Sequence, residues 1–187
     1  EAELHFDRSA SIASRIGDQQ LMAQCLVSNA ELDIARQRYE NARQRAEEAL
    51  ALFDKLGVAR GKADAYRVIG MVYREIGRPA LSESRLQAAL ELAMSSDAAL
   101  IEAESARELA LLYQTQSRNQ DALRLLNRAL QMFRRLEARA DLINVGGRMA
   151  ALQGTYLTVV HSWGQSIESS DHSTYGHCER VAQNAVA

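Results

Sequence analysis

The sequence predicts an all-α protein, an antiparallel helix-pair solenoid with a long C-terminal connecting helix, on three observations. An Ala-Leu pair recurs at Ala49-Leu50, Ala89-Leu90 and Ala129-Leu130, and the offsets 89 − 49 and 129 − 89 are both 40. The 187 residues include one Pro and ten Gly, too few turn breakers for a strand-rich fold of this length. Apolar residues fall three and four apart through the repeated region, which is the period of a helix.

Laying the copies 18–57, 58–97 and 98–140 over one another shows which positions must be small. Ala30, Gly70 and Ala110 coincide, as do Ala42, Ser82 and Ala122, and Ala49, Ala89 and Ala129. Small residues at fixed points are what two antiparallel helices need where their backbones approach closely. Ile69 and Leu109, Tyr73 and Tyr113, Leu86 and Leu126, and Leu50, Leu90 and Leu130 then fill the seam between neighbouring helices. The same shift makes residues 1–17 the second helix of an earlier repeat, with Phe6, Ala10 and Ile16 matching Ala46, Leu50 and Leu56. The array is therefore expected to continue upstream, and the chain to be a fragment of something longer.

The middle copy carries Tyr66, Ile69-Gly70, Tyr73, Gly77, Ser82, Leu86 and Ala89-Leu90. On these residues the chain resembles the tetratricopeptide repeat family over roughly residues 1–140. The first copy departs from the pattern at Asn29 and Asp33, and the third at Ala106. The resemblance implies a right-handed superhelix, with helices about one turn longer than in the usual repeat of about 34 residues. It also implies a protein or peptide ligand on the concave face formed by the first helix of each repeat. The positions carried over to that groove are Gln24, Val27 and Glu31, then Asp64, Arg67, Met71 and Arg74, then Glu104, Arg107, Leu111 and Gln114. Arg67 and Arg107 occupy equivalent sites and could clamp a carboxylate or phosphate, with Met71 and Leu111 as apolar neighbours. The competing reading is a solvated face of local ion pairs, because Asp64-Arg67 and Glu104-Arg107 are each three apart. The chaperone-binding subgroup clamps a terminal carboxylate with a Lys/Asn set. Met71 and Leu111 stand where its Asn is expected, so that activity is not expected here.

Residues 141–170 form a capping and connecting helix by pattern. Leu142, Val145, Met149, Leu152, Tyr156, Val159 and Trp163 make a heptad seam, with Val160 and Ile167 in a shifted register. Residues 141–155 also suit the first helix of a fourth repeat. The rest is read as a helix that runs on and pairs with its copy in a coiled-coil homodimer through Tyr156, Val159, Val160, Trp163 and Ile167; folding back on its own chain is the alternative. Gly146, Gly147, Gly154 and Gly164 would each cost it roughly 1 kcal/mol relative to Ala.

Residues 171–187 break with what precedes them. The order Asp171, Thr174, Gly176-His177, Arg180-Val181-Ala182 resembles the opening of the HD-GYP domain, a bacterial metal-dependent phosphodiesterase that cleaves cyclic di-GMP. The resemblance makes His177 a metal ligand in the parent protein and implies two divalent ions of Fe or Mn type there. Ser173 stands where members with a third metal carry Glu. The remaining ligands and the Gly-Tyr-Pro loop would lie beyond Ala187, so no catalytic residue is expected in this chain. The whole then reads as a regulatory interaction and dimerisation segment of a cyclic di-GMP phosphodiesterase. Alternatives are a diguanylate cyclase, a transcriptional regulator or a plain scaffold. For the cyclase, Asp171 and Thr174 fit its opening motif but Tyr175 interrupts it.

The charge balance, 22 basic against 24 acidic residues, argues against nucleic acid or an anionic membrane as partner. No apolar run approaches the roughly 20 residues of a membrane span. Cys25 and Cys178 lie far apart in sequence and give no disulfide framework, which leads us to expect a reduced, cytoplasmic chain.

Overall fold

The computed structural model describes residues 2–170 as helices joined by short turns, with no strand among the described residues. They are α1 (Ala2–Ile16), α2 (Gln19–Ala35), α3 (Tyr39–Leu56), α4 (Ala59–Glu75), α5 (Pro79–Ser95), α6 (Ala99–Thr115), α7 (Asn119–Arg135) and α8 (Arg139–Ser170). The predicted helix-pair array is the fold observed. The described residues up to Leu142 form one compact unit, and those from Ile143 onward belong to a second.

From α2 onward a helix begins every 20 residues, at 19, 39, 59, 79, 99, 119 and 139. The cause is a single turn geometry used seven times. Gly17, Gln37, Gly57, Gly77, Asp97, Ser117 and Glu137 all have positive φ. One residue further on, each amide donates back across the turn, as from Asp18 to the Ala13 carbonyl (2.9 Å), Val58 to Phe53 (3.0 Å) and Ala138 to Phe133 (3.0 Å). These are Schellman closures, which satisfy carbonyls that the helix end leaves without partners.

In the first unit α2, α4 and α6, here the A helices, alternate with α1, α3, α5 and α7, the B helices. Each packs against its sequence neighbours, and the A helices also touch one another, α2 with α4 and α4 with α6. No B helix makes a comparable contact with another B helix among the described residues. The A helices therefore line the inner side of the array. The small positions lie in the seams: Ala30, Ala110, Ala42, Ala122, Ala49, Ala89 and Ala129 are fully buried. A Cβ on Gly70 would stand 2.6 Å from Leu86 Cγ, and the Ser82 hydroxyl donates to the Gly70 carbonyl at 2.8 Å. The array closes this tightly because neither helix has bulk at the crossing.

Between repeats, size is traded at two equivalent B-to-A contacts. A Cβ on Gly61 would lie 2.3–2.6 Å from the Phe53 ring, whereas one repeat later Ala93 packs with Ile101. Phe53-Gly61 and Ala93-Ile101 are the same pair of positions filled in opposite ways. Asp33, where Tyr73 and Tyr113 stand in the other copies, is fully buried and held by Arg38 (2.6 Å) and Arg45 (2.5 Å).

In the second unit α8 continues to Ser170. Val145 is fully buried and Leu152 nearly so, while Ile143 is 78% exposed. A Cβ on Gly146, Gly147 or Gly154 would meet nothing within 4 Å, so packing does not require these glycines. Thr155 and Thr158 donate to the carbonyls of Ala151 (3.0 Å) and Gly154 (2.9 Å), a back-bonding that tends to bend a helix.

The traded pair gives a direct test. Phe53→Ala alone should cost about 3–5 kcal/mol through its cavity, and Gly61→Ile alone about 1–3 kcal/mol or more through overpacking. The double variant rebuilds the Ala93-Ile101 arrangement, so denaturant unfolding should find it more stable than the sum of the single losses predicts. Simple additivity would refute the pairing.

Candidate ligand groove on the A helices

The inner face carries an ion network that joins successive A helices. Arg67, with 4% of its side chain exposed, reaches Glu31 on α2 (2.5 Å), Asp64 on its own helix (2.7 Å) and Glu104 on α6 (3.5 Å). Burial works against the charge of Arg67, and the three carboxylates more than restore it. Two turns further along α4, Arg74 meets Glu108 at 2.6 Å and Glu75 at 3.0 Å. Arg107 bridges Glu108 (3.2 Å) and Asp141 (2.6 Å) and lies 5.9 Å from the Phe133 ring centroid.

Of the two readings of Arg67 and Arg107, anion clamp or ion-paired face, this geometry shows the ion pairs. Both guanidiniums are already paired, and Arg67 is buried beneath its carboxylates. Only the Asp64-Arg67 pair was legible from spacing within one helix. Glu31 lies 36 positions from Arg67, and Glu108 lies 34 from Arg74, separations that only the stacking of repeats brings together. Met71 and Leu111 are half-buried on the same helices, and the Met71 sulfur accepts from Arg67 at 3.5 Å.

Toward the N-terminal ends of α2, α4 and α6 the face opens into a cleft of about 460 Å³. Gln20, Gln24 and Ser28 line it from α2, Arg60, Gly61 and Asp64 from α4, and Leu100, Ile101 and Glu104 from α6; Phe53 and Val58 complete it. Sequence reasoning placed Gln24, Asp64 and Glu104 on this face. It missed Gln20, Arg60 and Leu100, which the same 40-residue register sets in one row.

Two carboxylates of α6 feel opposite fields. Burial pushes the Glu104 carboxyl above the usual carboxylate range, reinforced by Asp64 and Glu31 and only partly offset by Arg67. Burial also opposes the charge of Glu108, but Arg74 and Arg107 overcome it and hold that carboxyl below the usual range.

The side chains of Tyr156, Val159, Val160, Trp163 and Ile167, assigned to the dimer seam, lie outside the described residues, as does His177. Among the described residues no group of three or more His, Cys, Asp or Glu is placed to hold a metal, and no helix is long and apolar enough to cross a membrane.

Residues 61–135 match the tetratricopeptide repeat family. Aspartyl phosphate phosphatase F from Bacillus subtilis superposes with a TM-score of 0.70 at 12% identity, over 90% of this chain and 45% of that one. BtubC (BKLC) from P. vanneervenii superposes with a TM-score of 0.62 at 19% identity, over 89% of this chain and 64% of that one. The chain thus spans less than two thirds of either structure, and at these identities the likeness concerns the fold, a helical repeat array. No curated protein sequence matches the chain.

The raised Glu104 carboxyl has a consequence for stability. A carboxyl raised on folding stabilises the fold below its ordinary value and loses that contribution as pH rises through the folded value. Ionised Glu104 therefore weighs against the fold at neutral pH. Glu104→Gln should melt above the wild type at pH 7, with the gap closing as pH falls below the ordinary carboxylate value of about 4.3. A lower melting temperature for the variant at pH 7 would contradict this reading.

Proposed function

We propose that this chain is an interaction segment whose A helices dock a protein or peptide. The observation that carries the reading is the cleft on the face where the A helices stack, lined by the same positions of successive repeats. Repeat arrays bury their core between helices and leave such a face as extended recognition surface. Met71 and Leu111 supply half-buried apolar contact beside the paired Arg67, Arg74 and Arg107, so the ligand meets arginines already paired with carboxylates rather than bare cations.

Peptides selected from a displayed library should perturb amides of α2, α4 and α6 in NMR titrations. Leu111→Glu should weaken them by about tenfold or more, as for a buried contact residue. Perturbations confined to α3, α5 and α7 would sink the proposal.

The finer reading places this segment ahead of a cyclic di-GMP phosphodiesterase in a cytoplasmic homodimer joined through α8. It is supported by the order Asp171, Thr174, Gly176-His177 and Arg180-Val181, and by the heptad spacing through Trp163 and Ile167. On this reading His177 is one ligand of a two-metal centre whose other ligands follow Ala187. The sequence after Ala187 should then supply a His-Asp pair and a Gly-Tyr-Pro triplet, and the longer protein, loaded with Fe or Mn, should hydrolyse cyclic di-GMP. A downstream sequence without those motifs ends this reading, and a monomeric chain in sedimentation at high concentration ends its dimer.

A further inference from the structure

We infer that the cleft at the N-terminal ends of α2, α4 and α6 receives a basic side chain, lysine or arginine, from the docked segment. This rests on the A-helix face being the docking surface and adds the chemistry of what it selects.

Three carboxylates, Glu31, Asp64 and Glu104, share the single buried guanidinium of Arg67. Their capacity is not used up. Asp64 accepts both of its bonds from Arg67 on one oxygen, at 3.0 and 2.7 Å. Glu104 lies 3.5 Å from Arg67 Nε, an ion-pair distance beyond a normal hydrogen bond, although three quarters of its side chain is out of solvent. Asp64 and Glu104 both line the cleft. Arg60 is the cleft's own basic lining residue; it is exposed, on the first turn of α4. Among the lining residues themselves, Arg60 stands against Asp64 and Glu104, which leaves one negative charge in excess. An anion would add to it, whereas a cation would supply the donor that Glu104 lacks.

The remaining lining fits the rest of such a side chain. Val58, Leu100 and Ile101 add apolar surface to the same cleft. Lysine and arginine pair an aliphatic stem with a charged head, matching apolar contact at one end and carboxylates at the other. The raised Glu104 carboxyl is consistent with this: a charge that the fold holds against its own stability is one that a ligand can compensate.

The test titrates the full chain at low salt with acetyl-Arg-Arg-Arg-amide, and with its citrulline and glutamate counterparts. The arginine peptide should shift amides around Gln24, Asp64 and Glu104 and bind about tenfold tighter than the citrulline peptide, the worth of one charged hydrogen bond. Glu104→Gln and Asp64→Asn should each remove about that factor. Glu104→Gln keeps the test decisive even if Asp64→Asn fails to fold. Equal binding of the arginine and citrulline peptides, tighter binding of the glutamate peptide, no detectable binding, or unchanged affinity in Glu104→Gln would each overturn the inference. If library-selected peptides dock on the A helices regardless of these carboxylates, the groove reading stands and this inference falls. If they dock on the B helices, the groove reading itself falls.

Discussion

Everything in the array depends on ending each helix in the same way after the same number of residues. Seven turns share one left-handed residue and one amide that reaches back to the carbonyl five residues earlier. A helix of 17 residues is about 25 Å long, so a constant closure returns the chain to the same height each time. That is why residues 40 apart fall into rows across α2, α4 and α6. The turn residues alone do not enforce this, because Gln37, Asp97, Ser117 and Glu137 occupy the left-handed region at a cost of roughly 1–2 kcal/mol that glycine avoids. The seams must supply the difference. Alanine, glycine or serine at every close crossing fixes how the helices meet and holds the four unfavourable turns in place.

The same alignment explains the charge on the inner face. Position 67 shares a row with Val27 and Arg107, and in the middle repeat it is buried deeply enough that its guanidinium needs carboxylate partners in place of water. Glu31 and Glu104 come from the helices on either side, so one arginine ties three A helices together. A buried network of this kind costs desolvation and seldom outperforms an apolar contact in net stability. What it adds is geometric restriction, since Arg67 satisfies α2 and α6 together only when both stand in register with α4.

The fold was legible because its period is written in small residues, which can be read one position at a time. The half-period of 20 was not, since only Gly17, Gly57 and Gly77 mark turns by residue type and the other four left-handed positions carry ordinary polar side chains. The candidate site was legible in its rows but not in its charges. Spacing within a helix reveals Asp64 beside Arg67, but nothing local shows Arg74 meeting Glu108 or Arg107 meeting Asp141. Those pairs exist because two helices stack, and stacking sets distances that sequence separation does not record. Arg67 and Arg107 could therefore be read from sequence as ligand groups or as members of local pairs, while the carboxylates that reach them from other helices are supplied by the array.

The cleft and the core are linked through Gly61. Its lack of a side chain admits the Phe53 ring, a core side chain, and both residues reach the cleft lining. One repeat later Ala93 faces Ile101, and there the A helix carries the bulk. A repeat protein in which every copy made the same choice would present identical rows along its inner face. Alternating which partner is large varies that face without disturbing the turns or the small-residue seams. The recognition surface can thus differ from repeat to repeat while the scaffold stays periodic, because the variation is confined to positions where one residue's loss of volume is filled by its neighbour.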